Sequence, residues 1–155
     1  MQNEVSITRA ALDDLDALAP LFDGYRVFYG KPSDLAKANA FLRQRLANGE
    51  SVIFLARDAD GSALGFTQLY PSFSSVSARR LWILNDLFVS PDARRRGVAK
   101  ALLGRAREHG TETGVVRLVL QTARDNAQAQ ALYESVGWVR AEGMYEYALE
   151  LQGGS

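Results

Sequence analysis

The chain has no cysteine and a single histidine, His109. Without a thiol there is no disulfide, no cysteine nucleophile and no thiolate metal ligand, and one imidazole is too few for a histidine-rich metal site. Net charge is missing too. The 18 basic residues balance 18 acidic ones, so no global field gathers nucleic acid or anionic lipid. No apolar run approaches the roughly 20 residues of a membrane-spanning helix, and MQNEVSITRA lacks a basic segment followed by an apolar one. The expectation is a soluble, cytoplasmic protein with no metal, no nucleic-acid partner and no membrane partner.

What is present is a core. A chain of 155 residues, 47% of them hydrophobic, has the material for one domain and is short for two, so residues 1–155 read as a single domain. Val5 to Thr8 reads as a strand. Asp13-Asp14 open a helix with Leu15, Leu18, Leu21 and Phe22 spaced three and four apart, and Tyr25, Arg26, Phe28 and Tyr29 extend it to the break at Gly30-Lys31-Pro32. Ser33-Asp34 begin a second helix that Asn48-Gly49 end. Ser51 to Arg57 and Ala63 to Tyr70 form a hairpin around the turn Asp58 to Ser62, and Pro71 to Arg79 reads as a Ser-rich loop. Leu81 to Val89 is a central strand, apolar on both faces except at Asn85 and Asp86. A helix from Gly97 to about His109 ends at Gly110, with His109 expected on the surface near the helix C-terminus. Val115 to Gln121 is a buried strand, Asp125-Asn126 cap a helix to Val136, and Trp138 to Arg140 and Tyr145 to Leu151 read as closing strands before a frayed Gly153 to Ser155. The order βααβββαβαββ implies an α/β (α+β) fold, a mixed sheet flanked by helices.

The segment that carries chemistry joins the central strand to a basic turn and a helix. Gly97 opens the helix behind Arg94, Arg95 and Arg96, so the unpaired N–H groups of Val98, Ala99 and Lys100 and the neighbouring cations offer a site for a diphosphate. A solvated basic loop is the plainer reading of the same residues. The glycines of a dinucleotide fingerprint and the GxxxxGK[ST] of a P-loop are both absent. Arg94-x-x-Gly97-x-Ala99 resembles instead the [QR]-x-x-G-x-[GA] acyl-CoA signature of the GNAT N-acetyltransferase superfamily.

A second element sits where that superfamily has one. Asn126 to Trp138 resembles its N-x-x-A-x-x-x-Y-x-x-x-G-[FW] segment, and residues seven apart on a helix share a stripe, so Asn126 and Tyr133 face alike. The resemblance implies the GNAT fold, a mostly antiparallel sheet with about four helices, and acetyl-CoA as cosubstrate. It implies that Arg94 to Lys100 wrap the CoA diphosphate, that Leu87, Phe88 and Val89 offer main-chain groups to the pantetheine arm, that Asn126 contacts the CoA, and that Tyr133 is the general acid. A helix cap and a core tyrosine are the plain alternatives for Asn126 and Tyr133.

Asn85-Asp86-Leu87-Phe88-Val89 is similar to the E-D-[LF]-F-V segment of the spermidine/spermine and related diamine acetyltransferases, the likeness running from about Gly65 to Trp138. That subgroup has an acid before the Asp. Here the position is Asn85, which cannot act as a base, so Asp86 is the remaining catalytic candidate, orienting the acceptor or beginning a water chain, with burial raising its pKa. A structural Asp is the alternative. Tyr25, Arg26, Tyr29 and Asn85 are candidates for the acceptor wall, with packing expected for at least two of the three aromatics Tyr25, Phe28 and Tyr29. The implied activity is direct acetyl transfer from acetyl-CoA to a primary amine of a small molecule or peptide, in a homodimer. The rivals are a non-catalytic CoA-binding module, a protein or histone-type lysine acetyltransferase, and a nucleic-acid-binding domain using Arg94 to Arg96.

Overall fold

The computed structural model describes residues 4–152, so the expected frayed end at Gly153 to Ser155 lies outside the described residues. Its contacts divide into two units, 4–121 and 122–152, described here one at a time. The first begins with β1 (Val5–Arg9), a 3₁₀ turn (Leu12–Asp14), α1 (Leu15–Phe28) and α2 (Leu35–Ala47). Three long strands follow, β2 (Val52–Asp58), β3 (Ala63–Ser74) and β4 (Arg79–Val89), then a 3₁₀ turn (Pro91–Ala93), α3 (Val98–Thr113) and β5 (Leu118–Val119). The sheet runs in chain order from β1 to β5, antiparallel throughout except for the parallel β4–β5 pair. The second unit holds α4 (Ala127–Ser135).

Strand alternation sorts the core into two layers. Ile53, Leu55 and Phe66 turn to one face, where Leu18, Leu21 and Phe22 of α1 and Ala38 and Leu42 of α2 bury against them. Phe54 points the other way and meets α3, its ring 5.4 Å from that of His109 and 4.6 Å from the Arg105 guanidinium. On α3, Val98, Leu102, Leu103 and Ala106 are buried at the spacing of one helical face. Asp34 caps α2 by accepting from the Lys37 N–H at 3.0 Å. Asp23 ties the α1–α2 connection, accepting from Ser33 Oγ at 2.6 Å and the Asp34 N–H at 2.7 Å, and these bonds hold its carboxyl below the usual range.

Several expected boundaries move. Pro71 to Arg79 is no loop: Pro71, Ser72, Phe73 and Ser74 pair with Trp82, Leu81, Arg80 and Arg79 as a long hairpin arm. The β2–β3 ladder stops at Val52 and Leu69, so the β2-side edge lies outside that ladder at Pro71, where a residue without an N–H is tolerated. Gly110 does not stop α3, which runs to Thr113 and ends at Gly114, φ +70°. Gly110 serves packing, since a Cβ there would lie 2.7 Å from Leu118 Cδ1. His109 is buried, 6% exposed, where a surface position was expected; its ring lies between Phe54 and Trp82. β5 is two residues rather than Val115 to Gln121, because only Trp82 and Ile83 of β4 pair with it. Trp138 to Arg140 and Tyr145 to Leu151 form no strand among the described residues, and Tyr145, Tyr147, Leu149 and Leu151 are exposed. Their alternation has the right period, but a strand exists only with a ladder partner, and the two segments do not pair with each other.

Candidate functional site

The β3–β4 ladder carries a bulge at the two polar residues of the central strand. Gln68 and Leu69, neighbours on β3, pair with Asp86 and Leu84, so Asn85 has no residue opposite it. One extra residue reverses the facing of everything beyond it. Leu84 therefore shares a face with Leu69, whereas Asp86 shares one with Gln68 and Phe66, the face covered by α1 and α2. Thr67 Oγ1 secures the bulge by donating to the Asp86 carbonyl at 2.7 Å.

Asp86 is 1% exposed, and both its carboxylate oxygens are engaged. Gln68 Nε2 donates to Oδ2 at 2.5 Å and Asn85 Nδ2 to Oδ1 at 2.8 Å. Ser51 Oγ donates to Gln68 Oε1 at 2.8 Å. Burial raises the Asp86 pKa, as expected from its apolar neighbours, and the donors Asn85, Gln68 and Tyr25 oppose the rise. The Tyr25 hydroxyl also reaches the Asn85 carbonyl at 3.2 Å. Burial and the Asp86 charge raise the pKa of the Tyr25 phenol and push that of Tyr70 up to about 12, so both hydroxyls stay protonated donors at neutral pH.

Beyond Ile83 the β5-side edge of β4 is outside the ladder, leaving Leu84 to Val89 with β3 alone. Leu87, Phe88 and Val89 thus lie on the stretch of β4 that pairs only with β3. Gly65 lets β3 approach here: a Cβ on it would lie 2.6 Å from the Phe88 carbonyl oxygen. The Pro91–Ala93 turn, anchored by buried Ala93, leads into the basic turn. Arg95 and Gly97 both adopt left-handed backbone, at φ +67° and +75°. For Arg95 that costs about 1–2 kcal/mol, strain of the kind held at functional turns. Gly97 is the N-cap of α3 and supplies no side-chain acceptor, so the first-turn N–H groups of Val98, Ala99 and Lys100 have no side-chain cap; a Cβ on Gly97 would meet nothing within 4 Å. Arg94 does not simply project: its Nε donates to the Val89 carbonyl at 3.2 Å and its guanidinium lies 6.0 Å from the Phe88 ring centroid, bracing the turn on β4. Arg94 to Lys100 thus combine a helix N-terminus without a side-chain cap and a run of basic residues, the combination that suits an anion.

In the second unit Asn126 caps α4, its side chain accepting from the Ala129 N–H at 3.1 Å. Only its amide nitrogen is then left for a ligand. Tyr133 is half-buried, its ring 6.2 Å from Trp138, and the Trp138 N–H donates to the Tyr133 carbonyl at 3.0 Å. Gln130 Nε2 donates to the Ala123 and Arg124 carbonyls and fixes the approach to the helix.

Of the acceptor-wall candidates, Tyr25 packs edge-on to Phe66 and Phe88, Arg26 is half-buried, and Asn85 is exposed beside Asp86. Phe28 and Tyr29 are 60% and 59% exposed, so only one of the three aromatics is taken up by packing, where at least two were expected. The Phe28 ring lies 5.2 Å from that of Tyr29, which in turn lies 5.1 Å from that of Tyr25. Ser51, Gln68 and Tyr70 were missed. Their signal was Gln68 itself, a polar residue inside an apolar strand run. No group of three metal-ligating side chains occurs among the described residues, and no helix among them is long and apolar enough to cross a membrane.

Residues 16–138 match the Acetyltransferase (GNAT) family. An uncharacterized N-acetyltransferase of Bacillus subtilis (strain 168), YhfO, is 47% identical over 147 residues, 95% of this chain and 98% of the relative. The crystal structure of a probable acetyltransferase superposes with a TM-score of 0.90 at 45% identity, covering 96% of this chain and 99% of the other. An aminoglycoside N(6')-acetyltransferase type 1 of Salmonella typhimurium (strain LT2) is 29% identical over 112 residues, 66% of this chain and 77% of the relative. With a family match over residues 16–138, a near-full-length relative at 47% identity, a five-stranded mixed sheet and four helices, the chain belongs to the GNAT acetyltransferase family, whose enzymes use acetyl-CoA.

Proposed function

We propose that the protein transfers an acetyl group directly from acetyl-CoA to a primary amine of a small cationic molecule. The observation that carries this reading is the bulge at Asn85, which turns a buried carboxylate, Asp86, toward the α1 face on a strand whose β5 ladder ends at Ile83. Acetyl-CoA supplies an activated thioester, and the chain's part is to hold it and manage protons. The Val98 to Lys100 N–H groups and the Arg94 to Arg96 cations bind the diphosphate, and an N–H of Leu87 to Val89 polarises the carbonyl oxygen. Tyr133 protonates the departing sulfur, as its position in the Asn126 to Trp138 segment implies. With no cysteine in the chain to carry an acyl group, transfer is direct.

Asp86 orients the acceptor. An ammonium ion is attracted to a carboxylate ringed by tyrosines, where Tyr25 and Tyr29 add aromatic faces, and must lose its proton before attack. Asn85 offers no base, which weighs against the diamine-acetyltransferase assignment and favours proton loss through Asp86 or water. The likeness to an aminoglycoside N(6')-acetyltransferase supports a polycationic acceptor. The test is release of free CoA thiol with sisomicin, neamine, spermidine and an alanine-terminated peptide. Turnover with an aminoglycoside or spermidine supports the reading, turnover with the peptide alone moves the acceptor to protein N-termini, and CoA binding without release from any amine makes the chain a CoA-binding module.

A further inference from the structure

Asp86 does not set its own orientation. It lies 1% exposed in the sheet, and its carboxylate oxygens are met by neutral donors, the amides of Gln68 and Asn85 and the Tyr25 hydroxyl, rather than by a cation. Gln68 is the more buried of the two amides, at 0% exposure, and it sits directly across the ladder from Asp86. Its amide has two ends, and the carboxylate discriminates between them. An ionised Asp86 can face only the Nε2 end, because the reverse orientation would set Oε1 against Oδ2 and require Asp86 to carry a proton. With Nε2 committed, Oε1 points away into a buried site, where it would be an unsatisfied acceptor but for Ser51 Oγ, 2.8 Å away and itself 6% exposed. Ser51, just before β2, Gln68 of β3 and Asp86 of β4 therefore form a directional chain, each donor satisfying the next acceptor.

We propose that Gln68, itself satisfied by Ser51, is the positioning residue for Asp86, holding its carboxylate in the ionised, acceptor-only form that a cationic amine can engage. The inference rests on the proposed role of Asp86 at the acceptor. The bulge gives it a geometric reason. Turning Asp86 inward removes it from water, and a carboxylate left there without donors takes up a proton and loses its attraction for a cation. Asn85 donates to one oxygen from the exposed bulge, and Gln68 donates to the other from β3. Tyr25 from α1 is a further donor, with Tyr29 beside it, and Tyr70 from β3 is near, with Arg45 from α2 further out beside Tyr70. No second carboxylate and no histidine is among them, so a change in Asp86 titration on altering Gln68 reports on that contact.

The experiment reads Asp86 directly. Carboxyl carbons of ¹³C-aspartate-labelled protein are titrated by NMR, with Asp86→Asn assigning the signal, in the parent protein and in Gln68→Met, Gln68→Glu and Ser51→Ala. Gln68→Met removes the donor at similar volume and raises the Asp86 midpoint by about one unit or more. Gln68→Glu keeps the shape, sets two carboxyls against each other and raises it further; Ser51→Ala gives a smaller rise. Should Gln68→Met fail to fold, the near-isosteric Gln68→Glu and the small Ser51→Ala carry the test. A merely structural Gln68 lowers thermal stability and leaves the midpoint unmoved, and that result overturns the inference. A second arm follows the acid limb of kcat/KM with whichever of sisomicin, neamine, spermidine or the peptide turns over. A moved NMR midpoint with an unmoved acid limb upholds Gln68 as the positioning residue and removes Asp86 from the proposed reaction.

Discussion

Replacing Gly97 by glutamate separates the folding of the basic turn from its use. Gly97 lies at φ +75° and a Cβ on it meets nothing within 4 Å, so the folding cost is the left-handed backbone alone. That cost is about 1–2 kcal/mol for a non-glycine residue, and a carboxylate at a helix N-terminus returns about 0.3–1 kcal/mol through the helix dipole. The net loss of roughly 1 kcal/mol lowers Tm by about 2–4 °C in a chain of this size. For a diphosphate the sign is opposite. A carboxylate about 4 Å from each of two phosphate charges repels each by about 1 kcal/mol in water and by up to about 4 kcal/mol where solvent is partly excluded. Taking the lower part of that range, the penalty is at least about 2–3 kcal/mol, or roughly a 100-fold loss of affinity. Titration calorimetry with CoA, run beside a thermal melt, measures both quantities. Gly97→Ala carries the same strain without the charge and keeps CoA affinity within about tenfold. An unchanged CoA affinity in Gly97→Glu would refute the assignment of this turn to the diphosphate, and equal losses in the two variants would replace the charge argument with one of backbone geometry.

Three further outcomes follow from the structure. Tyr133→Phe is expected to cut turnover while leaving CoA affinity nearly intact, and equal turnover in the two proteins removes Tyr133 from the mechanism. Burial, Arg9 and Arg105 lower the pKa of His109 below its unfolded value, so its neutral form contributes stability above about pH 6.5 that is lost as pH falls toward the folded value. The raised pKa of Asp86 has the opposite slope, its contribution falling as pH rises, so the measurement is the difference in urea midpoint between the parent and His109→Gln across pH 5 to 8; a pH-independent difference contradicts the burial argument. Gly65→Ala sets a methyl 2.6 Å from the Phe88 carbonyl oxygen, a backbone atom that cannot rotate away, and is expected to cost about 1–3 kcal/mol in chemical denaturation. A smaller loss means that β3 and β4 separate easily at this point.

Much of the fold was legible because it rests on local signals. The α1 periodicity, the Asp34 and Asn126 caps, the left-handed Gly49 and the turn at Asp58 to Ser62 each act within a few residues, and each appears where the chain predicts it. Misread elements depended on distant partners. Gly110 looked like a stop because a glycine near a helix end usually is one, and only the proximity of Leu118 shows that it is a packing site. His109 looked like a surface cation, but Phe54 and Trp82, far away in sequence, close over it and leave Nε2 with no hydrogen-bond partner among the described residues.

The left-handed Gly97 and the Asn126 cap were readable from the amino acids alone, because a glycine opening a helix behind a basic run and an Asn before a helical stretch act at short, fixed spacings. The sequence by itself therefore determined the family and its cosubstrate. Tertiary structure decided what surrounds Asp86. Its distant partners are Gln68 of β3, itself held by Ser51, and Tyr25 of α1, and its direction depends on one unpaired residue, Asn85, in a ladder that exists only once the strands have met. No spacing along the chain encodes that register, and so Gln68 passed as an ordinary strand residue until the sheet placed it opposite the buried acid.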